Sequence, residues 1–163
     1  MKILFLTITI FFAQLGFSQE KLTTIILLRH AEKENDGGKN PELSEAGKNR
    51  AAGLVTLLSK TKINAIYSTA FKRTEDTVKP LAKSKNLSIN HYDGSKMAEI
   101  DETLARWSGG TVVICGHSNT TPAIVNYLIG KEEYAAFADS EYGNLIIVAL
   151  GENKQAHVTW LTF

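Results

Sequence analysis

An α/β domain, a three-layer α/β/α sandwich with a mostly parallel sheet, is the architecture this sequence predicts, and three observations predict it. Short apolar, β-rich runs alternate along the chain with longer segments whose apolar residues recur at helical spacing. The first run, Thr23 to Leu28, is continuously apolar from Ile25, as a strand covered on both faces must be. A chain of 163 residues, 44% of them hydrophobic, also has the material for one core, and neither internal repeats nor a second domain interrupt it.

The elements follow in order. Residues 1–18 stand apart. Lys2 leads into the apolar run Ile3 to Phe12, shorter than the about 20 residues a bilayer span needs, and Gly16 and Ser18 supply the small residues before a cleavage site. This predicts a signal peptide cut after Ser18, with Ala13 as a weaker earlier choice, and a folded domain over 19–163 that is exported to the periplasm or outside the cell. No Cys follows the run, so no lipid anchor is expected to tie the product to a membrane.

Strand Thr23–Leu28 stops at Arg29-His30, and a polar loop covers Glu32 to Glu42. Ser44 then N-caps a helix that carries Ala46, Ala51, Leu54, Leu57 and Leu58 on one stripe and reaches about Lys60. Ile63–Ser68 reads as a second strand. Thr69–Lys85 is helical in pattern, with Pro80 expected to kink or divide it. Leu87–Tyr92 is a weaker strand, Met97–Trp107 a helix, Thr111–Cys115 a strongly apolar strand, and Thr120–Ile129 a helix with Pro122 in its first turn. Leu145–Leu150 and His157–Phe163, joined by Gly151-Glu152-Asn153-Lys154, form a terminal hairpin. In such a sheet, ligands bind beyond the carboxyl ends of the strands.

Charge narrows the partner. With 18 Lys plus Arg against 17 Asp plus Glu, the chain lacks the basic excess that grips a nucleic-acid backbone, which leaves a small-molecule partner as the expectation. A lone cysteine makes no internal disulfide and too few ligands for a thiolate metal site. Oligomeric state is not legible.

Two strands stop at a histidine, Ile25-Ile26-Leu27-Leu28-Arg29-His30 and Val112-Val113-Ile114-Cys115-Gly116-His117, and Arg73 falls just past the end of another. If these strands are neighbours, two Arg and two His converge at one rim. Such a self-repelling cluster makes sense only around an anion, and a phosphate dianion fits: each guanidinium donates paired N–H groups, and the helix beginning near Asn119 offers backbone N–H groups.

Over roughly residues 23–130 the chain resembles the histidine phosphatase superfamily, which includes the cofactor-dependent phosphoglycerate mutases. Arg29-His30-Ala31-Glu32 resembles its Arg-His-Gly signature, with Ala31 for Gly. Leu43-Ser44-Glu45-Ala46-Gly47 resembles the helix start that follows, the stretch Ser68 to Thr77 resembles a Ser-x-x-x-x-Arg-x-x-x-Thr segment, and Gly116-His117-Ser118 the closing Gly-His motif. The resemblance implies a phosphoglycerate mutase-like fold and a metal-independent, cofactor-free phosphatase in which His30 takes the phosphoryl group while Arg29, Arg73 and His117 hold its oxygens. It implies small phosphorylated substrates, phosphomonoesters first. A phosphoramidate such as protein phosphohistidine and a non-catalytic phosphate- or phosphosugar-binding module are the alternatives.

An alkoxide leaving group needs a proton, so a carboxyl should stand near the bridging oxygen. Glu99 lies about where mutase-like relatives carry theirs and is favoured, with Glu102 second and Asp101 also in the stretch. The phytase-like Arg-His-Gly-x-Arg-x-Pro motif has no counterpart here. His91 and His157 read as structural, Arg50 and Arg106 as solvated helix-face residues, Cys115 as a buried small hydrophobe, and Glu32-Lys33-Glu34 as a charged loop beside the site. His30 and His117 alone are too few to hold a metal, and the arginines would repel one.

Overall fold

The computed structural model describes residues 21–151, 153 and 155–163. The predicted signal peptide, 1–18, therefore lies outside the described residues, as do Glu152 and Lys154 of the hairpin turn. The elements are β1 (Thr23–Arg29), α1 (Glu45–Leu57), β2 (Ala65–Ser68), α2 (Lys72–Lys85), β3 (Ile89–His91), α3 (Met97–Arg106), β4 (Thr111–Gly116), α4 (Thr120–Ile129), β5 (Asn144–Leu150) and β6 (Ala156–Thr162). They build one six-stranded sheet in the order β3-β2-β4-β1-β5-β6. The first four strands run parallel, and β5 and β6 add antiparallel pairs at one side.

The alternation of each strand sorts its side chains into two cores. Ile25, Leu27, Val112 and Ile114 pack with Ile100 of α3 and Ile124 and Val125 of α4. Ile26, Leu28, Val113 and Cys115 pack with Leu54 of α1 and Val78, Leu81 and Ala82 of α2. A strand clothed on both faces needs apolar residues at every position, which is why β1 and β4 show no period-two pattern. The chain leaves β1 toward α1 on one face and β4 toward α4 on the other, so a crevice opens between these neighbouring strands at their carboxyl ends.

Several expected boundaries shift. Pro80 does not divide α2, which runs unbroken to a left-handed cap at Asn86 (φ 54°). A proline inside a helix costs about 3 kcal/mol. Full burial of Val78 and Leu81 on either side, at roughly 1.5–3 kcal/mol per side chain, offsets it. The same helix starts at Lys72 rather than Thr69, because Thr69 continues from β2 and its N–H bonds the Cys115 carbonyl (3.4 Å). Helix α1 keeps the expected cap: the Ser44 hydroxyl accepts the Gly47 N–H at 3.2 Å. A β-carbon at Gly47 would collide with the Glu32 carbonyl oxygen, so glycine lets α1 press against the segment that follows His30. Among the described residues no helix is long and apolar enough to cross a membrane.

Candidate active site

The register of the two central parallel strands sets the geometry. Arg29 of β1 stands opposite Gly116 of β4, and one step further the His30 N–H donates to the Gly116 carbonyl at 2.9 Å. Pairing thus continues beyond both strands and delivers His30 and His117 to the crevice, with their rings 5.6 Å apart and 67° inclined. Because β2 lies on the other side of β4, Thr69 and Arg73 come in beside His117: the Thr69 hydroxyl is 2.9 Å from its Nε2 and Arg73 Nη2 is 3.4 Å from its Nδ1. Gly116 is the only residue type that fits here, since a β-carbon would sit 2.7 Å from the Thr120 hydroxyl and 2.8 Å from that of Tyr92.

His30 is 4% exposed, and its Nδ1 lies 2.8 Å from the carbonyl oxygen of Ala31. A carbonyl can only accept, so Nδ1 carries the proton and Nε2 keeps a lone pair. The Ala31 N–H in turn donates to the Thr77 hydroxyl at 2.9 Å, which ties the turn to α2. Burial, reinforced by the charges of Arg29, Arg73 and His117, takes the His30 pKa down to about 4, against the pull of the Ala31 carbonyl. Burial, then Arg73 and Arg29, brings His117 to about 4 as well. Both imidazoles are neutral at pH 7. The expected quartet of cations is therefore two fixed charges and two neutral rings.

Those two charges have no carboxylate partner in the described residues. Arg29, 7% exposed, donates from Nη1 to the carbonyls of Ala138 (2.8 Å) and Glu141 (2.7 Å), and its guanidinium stacks 4.3 Å over the Tyr142 ring. Arg73 lies 4.5 Å over the Phe71 ring. In both arginines Nε is buried with no hydrogen-bond partner. An unpaired buried guanidinium N–H is costly, and a phosphoryl oxygen would satisfy it.

The carboxyls favoured from the sequence are not among the residues brought together here. The Glu99 carboxylate accepts the Asp93 N–H at 2.8 Å, because the turn before α3 leaves that amide without a helical acceptor. Glu99 and Glu102 line a separate depression with Asn90, His91 and Arg106, and Asp101 accepts from the Tyr127 hydroxyl at 2.6 Å. The depression beside His117 is lined instead by Phe71, Tyr92, Asp93 and Ser95. Asp93 is held at about 2 by hydrogen bonds from Ser95 and by Lys96, so it is an ionised carboxylate.

Other readings sort likewise. Cys115 is fully buried, as expected, and burial pushes its thiol pKa up. His91 pairs with Glu75 on the surface at 2.8 Å. Arg50 is a correction. It is half-buried, clamps the Glu32 carboxylate through Nε and Nη2, and donates from Nη1 to the Phe163 carbonyl. Glu32 is accordingly the anchor of the loop behind His30 rather than a free charge. Tyr142, whose ring lies 6.1 Å from that of His30, carried no signal beyond the turn glycine that follows it. Among the described residues no group of three His, Cys, Asp or Glu is placed to hold a metal ion.

Fold and site together define a class: α/β proteins that gather two histidines and two arginines at the carboxyl ends of the central parallel strands. Residues 25–101 match the Histidine phosphatase superfamily (branch 1). It is 39% identical over 94 residues to phosphoserine phosphatase 1 of Hydrogenobacter thermophilus, an alignment that covers 54% of this chain and 43% of that one. The chain thus spans under half the length of this curated relative. The protein histidine phosphatase SixA, solved with tungstate, superposes with a TM-score of 0.71 at 17% identity over 85% of this chain and 96% of its own. A phosphoserine phosphatase variant from Entamoeba histolytica, solved with phosphoserine, gives 0.69 at 13% identity over 84% and 95%. At such identities these structures share the phosphoglycerate mutase-like fold.

Proposed function

We propose that this protein is a metal-independent phosphatase that hydrolyses phosphomonoesters through a phosphohistidine on His30. The observation that carries the reading is a buried, neutral imidazole with Nε2 unprotonated, set beside two guanidiniums that lack counter-charges. Nε2 attacks phosphorus, the P–N bond forms as the P–O bond to the leaving group breaks, and charge spreads over equatorial oxygens that Arg29 and Arg73 face. Water then attacks phosphorus, the P–N bond breaks, and inorganic phosphate and neutral His30 are restored. An arriving dianion raises the proton affinity of His117, so the imidazolium formed can donate to a phosphoryl oxygen.

Phosphate release from p-nitrophenyl phosphate, with a phosphoryl adduct trapped on His30 by rapid acid-free quench and mass spectrometry, tests the mechanism. His30→Ala should lose at least about 10³-fold in turnover, and wild-type turnover by that variant would refute it. A phosphoramidate substrate is the second reading, favoured by the absence of a protonated carboxyl among the residues lining the depression beside His117, since a nitrogen leaving group is easier to expel. Comparing alkyl phosphates with phosphoramidate at matched concentration separates the two. Export directed by residues 1–18 belongs to the same proposal, and a secreted product starting at Gln19 is its expected outcome.

A further inference from the structure

The loop between α4 and β5 is held unusually firmly for a surface connection. Arg29 Nη1 draws in the carbonyls of Ala138 and Glu141. The Glu141 carboxylate accepts from the Ala138 N–H at 3.2 Å and from Asn144 Nδ2 at 2.8 Å. Gly143 takes φ 81°, its carbonyl accepts the Phe163 N–H at 3.0 Å, and a β-carbon there would stand 2.5 Å from Arg50 Nη1. Only glycine serves at that point. All these ties converge on the one residue they flank, Tyr142.

Its ring lies under the Arg29 guanidinium at 4.3 Å and 6.1 Å from the His30 ring, and the phenol side chain bears electrostatically on Arg73. Among the described residues the Tyr142 hydroxyl makes no hydrogen bond. A half-buried phenol, carried on a fixed loop, stacked on Arg29 and neighbouring the His30 ring, with a hydroxyl open to water, offers a donor to an acceptor that these residues share.

We propose that Tyr142 is a substrate-contacting residue whose hydroxyl donates to a non-bridging oxygen of the phosphoryl group, as a neutral donor beside Arg29 and Arg73. The inference rests on the phosphatase reading above. Its position with Arg29, which serves the equatorial oxygens, assigns it to the transferring group and not to the leaving oxygen. The hydroxyl exchanges only a water for the phosphoryl oxygen, and a hydrogen bond to a charged oxygen is worth about a tenfold or greater change in binding.

The test is Tyr142→Phe, which keeps the ring under Arg29 and removes only the oxygen. Binding of inorganic phosphate and of orthovanadate is measured by calorimetry in Tyr142→Phe, in His30→Ala and in the wild-type protein, alongside kcat/KM for p-nitrophenyl phosphate and an alkyl phosphate. Expected is a loss of about tenfold in vanadate affinity and in kcat/KM, equal for both substrates, with no change in melting temperature. Unchanged vanadate binding in Tyr142→Phe, where the wild type binds, overturns the inference and leaves the phosphatase reading standing. A loss confined to the alkyl phosphate also overturns it, because it moves the hydroxyl to the leaving group. If the wild type neither binds these oxyanions nor turns over, the phosphatase reading itself falls.

Discussion

Two depressions flank Tyr92, and their charges obey opposite rules. On the side of α3, the charged groups are satisfied by neighbours: His91 meets Glu75, Lys96 meets Glu99 at 3.8 Å, and Glu99 caps an amide. On the side of β1 and β4, the buried Arg29 and the half-buried Arg73 lie over aromatic rings, two imidazoles are neutralised by burial, and among the described residues no carboxylate pairs with either guanidinium. Exposed pairs contribute about 0–1 kcal/mol each, whereas burying cations unpaired is a cost folding alone would avoid. The contrast teaches that counting charged residues finds both regions, while asking which charges lack partners finds only one.

The strongest way to break this comparison is His30→Ala, whose expected loss of at least about 10³-fold in turnover has no counterpart on the α3 side. Next come Arg29→Ala and Arg73→Ala. Each should reduce kcat/KM by roughly 10²- to 10³-fold, as loss of a fixed donor to a developing oxyanion does. Since Arg73 is half-buried, feels the charge of Arg29 and keeps a buried, unsatisfied Nε, Arg73→Met should leave the melting temperature unchanged or raise it while activity collapses. A drop in both would mean that the arginine is structural.

The pH dependence sharpens the contrast further. His30 and His117 titrate at about 4 in the folded state against an ordinary 6.5, so between those values the unfolded chain binds more protons than the native one. Stability should therefore be full above pH 6.5, fall as pH drops toward 4, and level off below for these groups, at up to about 1.4 kcal/mol per pH unit for each imidazole. Denaturant titrations at pH 7.5, 5.5 and 4.5 measure it, and His117→Asn should flatten the slope. The smallest effect is expected on the other side of Tyr92: Glu99→Gln should change kcat for phosphomonoesters by less than about threefold. A large selective loss on alkyl phosphates would return Glu99 to the role its sequence position suggests.

Much of the fold could be read directly. Helix α4 matches its expected span because Pro122 marks its first turn, a local device, and the structure closes it at Gly130. Strands β1 and β4 were legible because burial on both faces demands unbroken apolar runs. His30, Arg29, Arg73 and His117 were legible because the ends of parallel strands meet at one edge. What escaped depends on distant partners. Arg50 sits at a helical position typical of a solvated face, yet its carboxylate partner lies 18 residues back and its carbonyl partner 113 residues on. Tyr142 gains its place only through the Arg29 side chain, which no spacing announces. Pro80 misled because its local cost is visible and the burial that offsets it is not.

The single thiol of this chain, Cys115, ends its apolar strand one residue before Gly116 and is sealed from solvent, and a thiol held protonated is a poor target for peroxide or alkylating agents. Enzymes that transfer phosphoryl groups through a thiolate are silenced by such oxidants. In the proposed mechanism the nucleophile is an imidazole and the lone thiol is walled into the core, so turnover should be indifferent to the redox state of the surroundings.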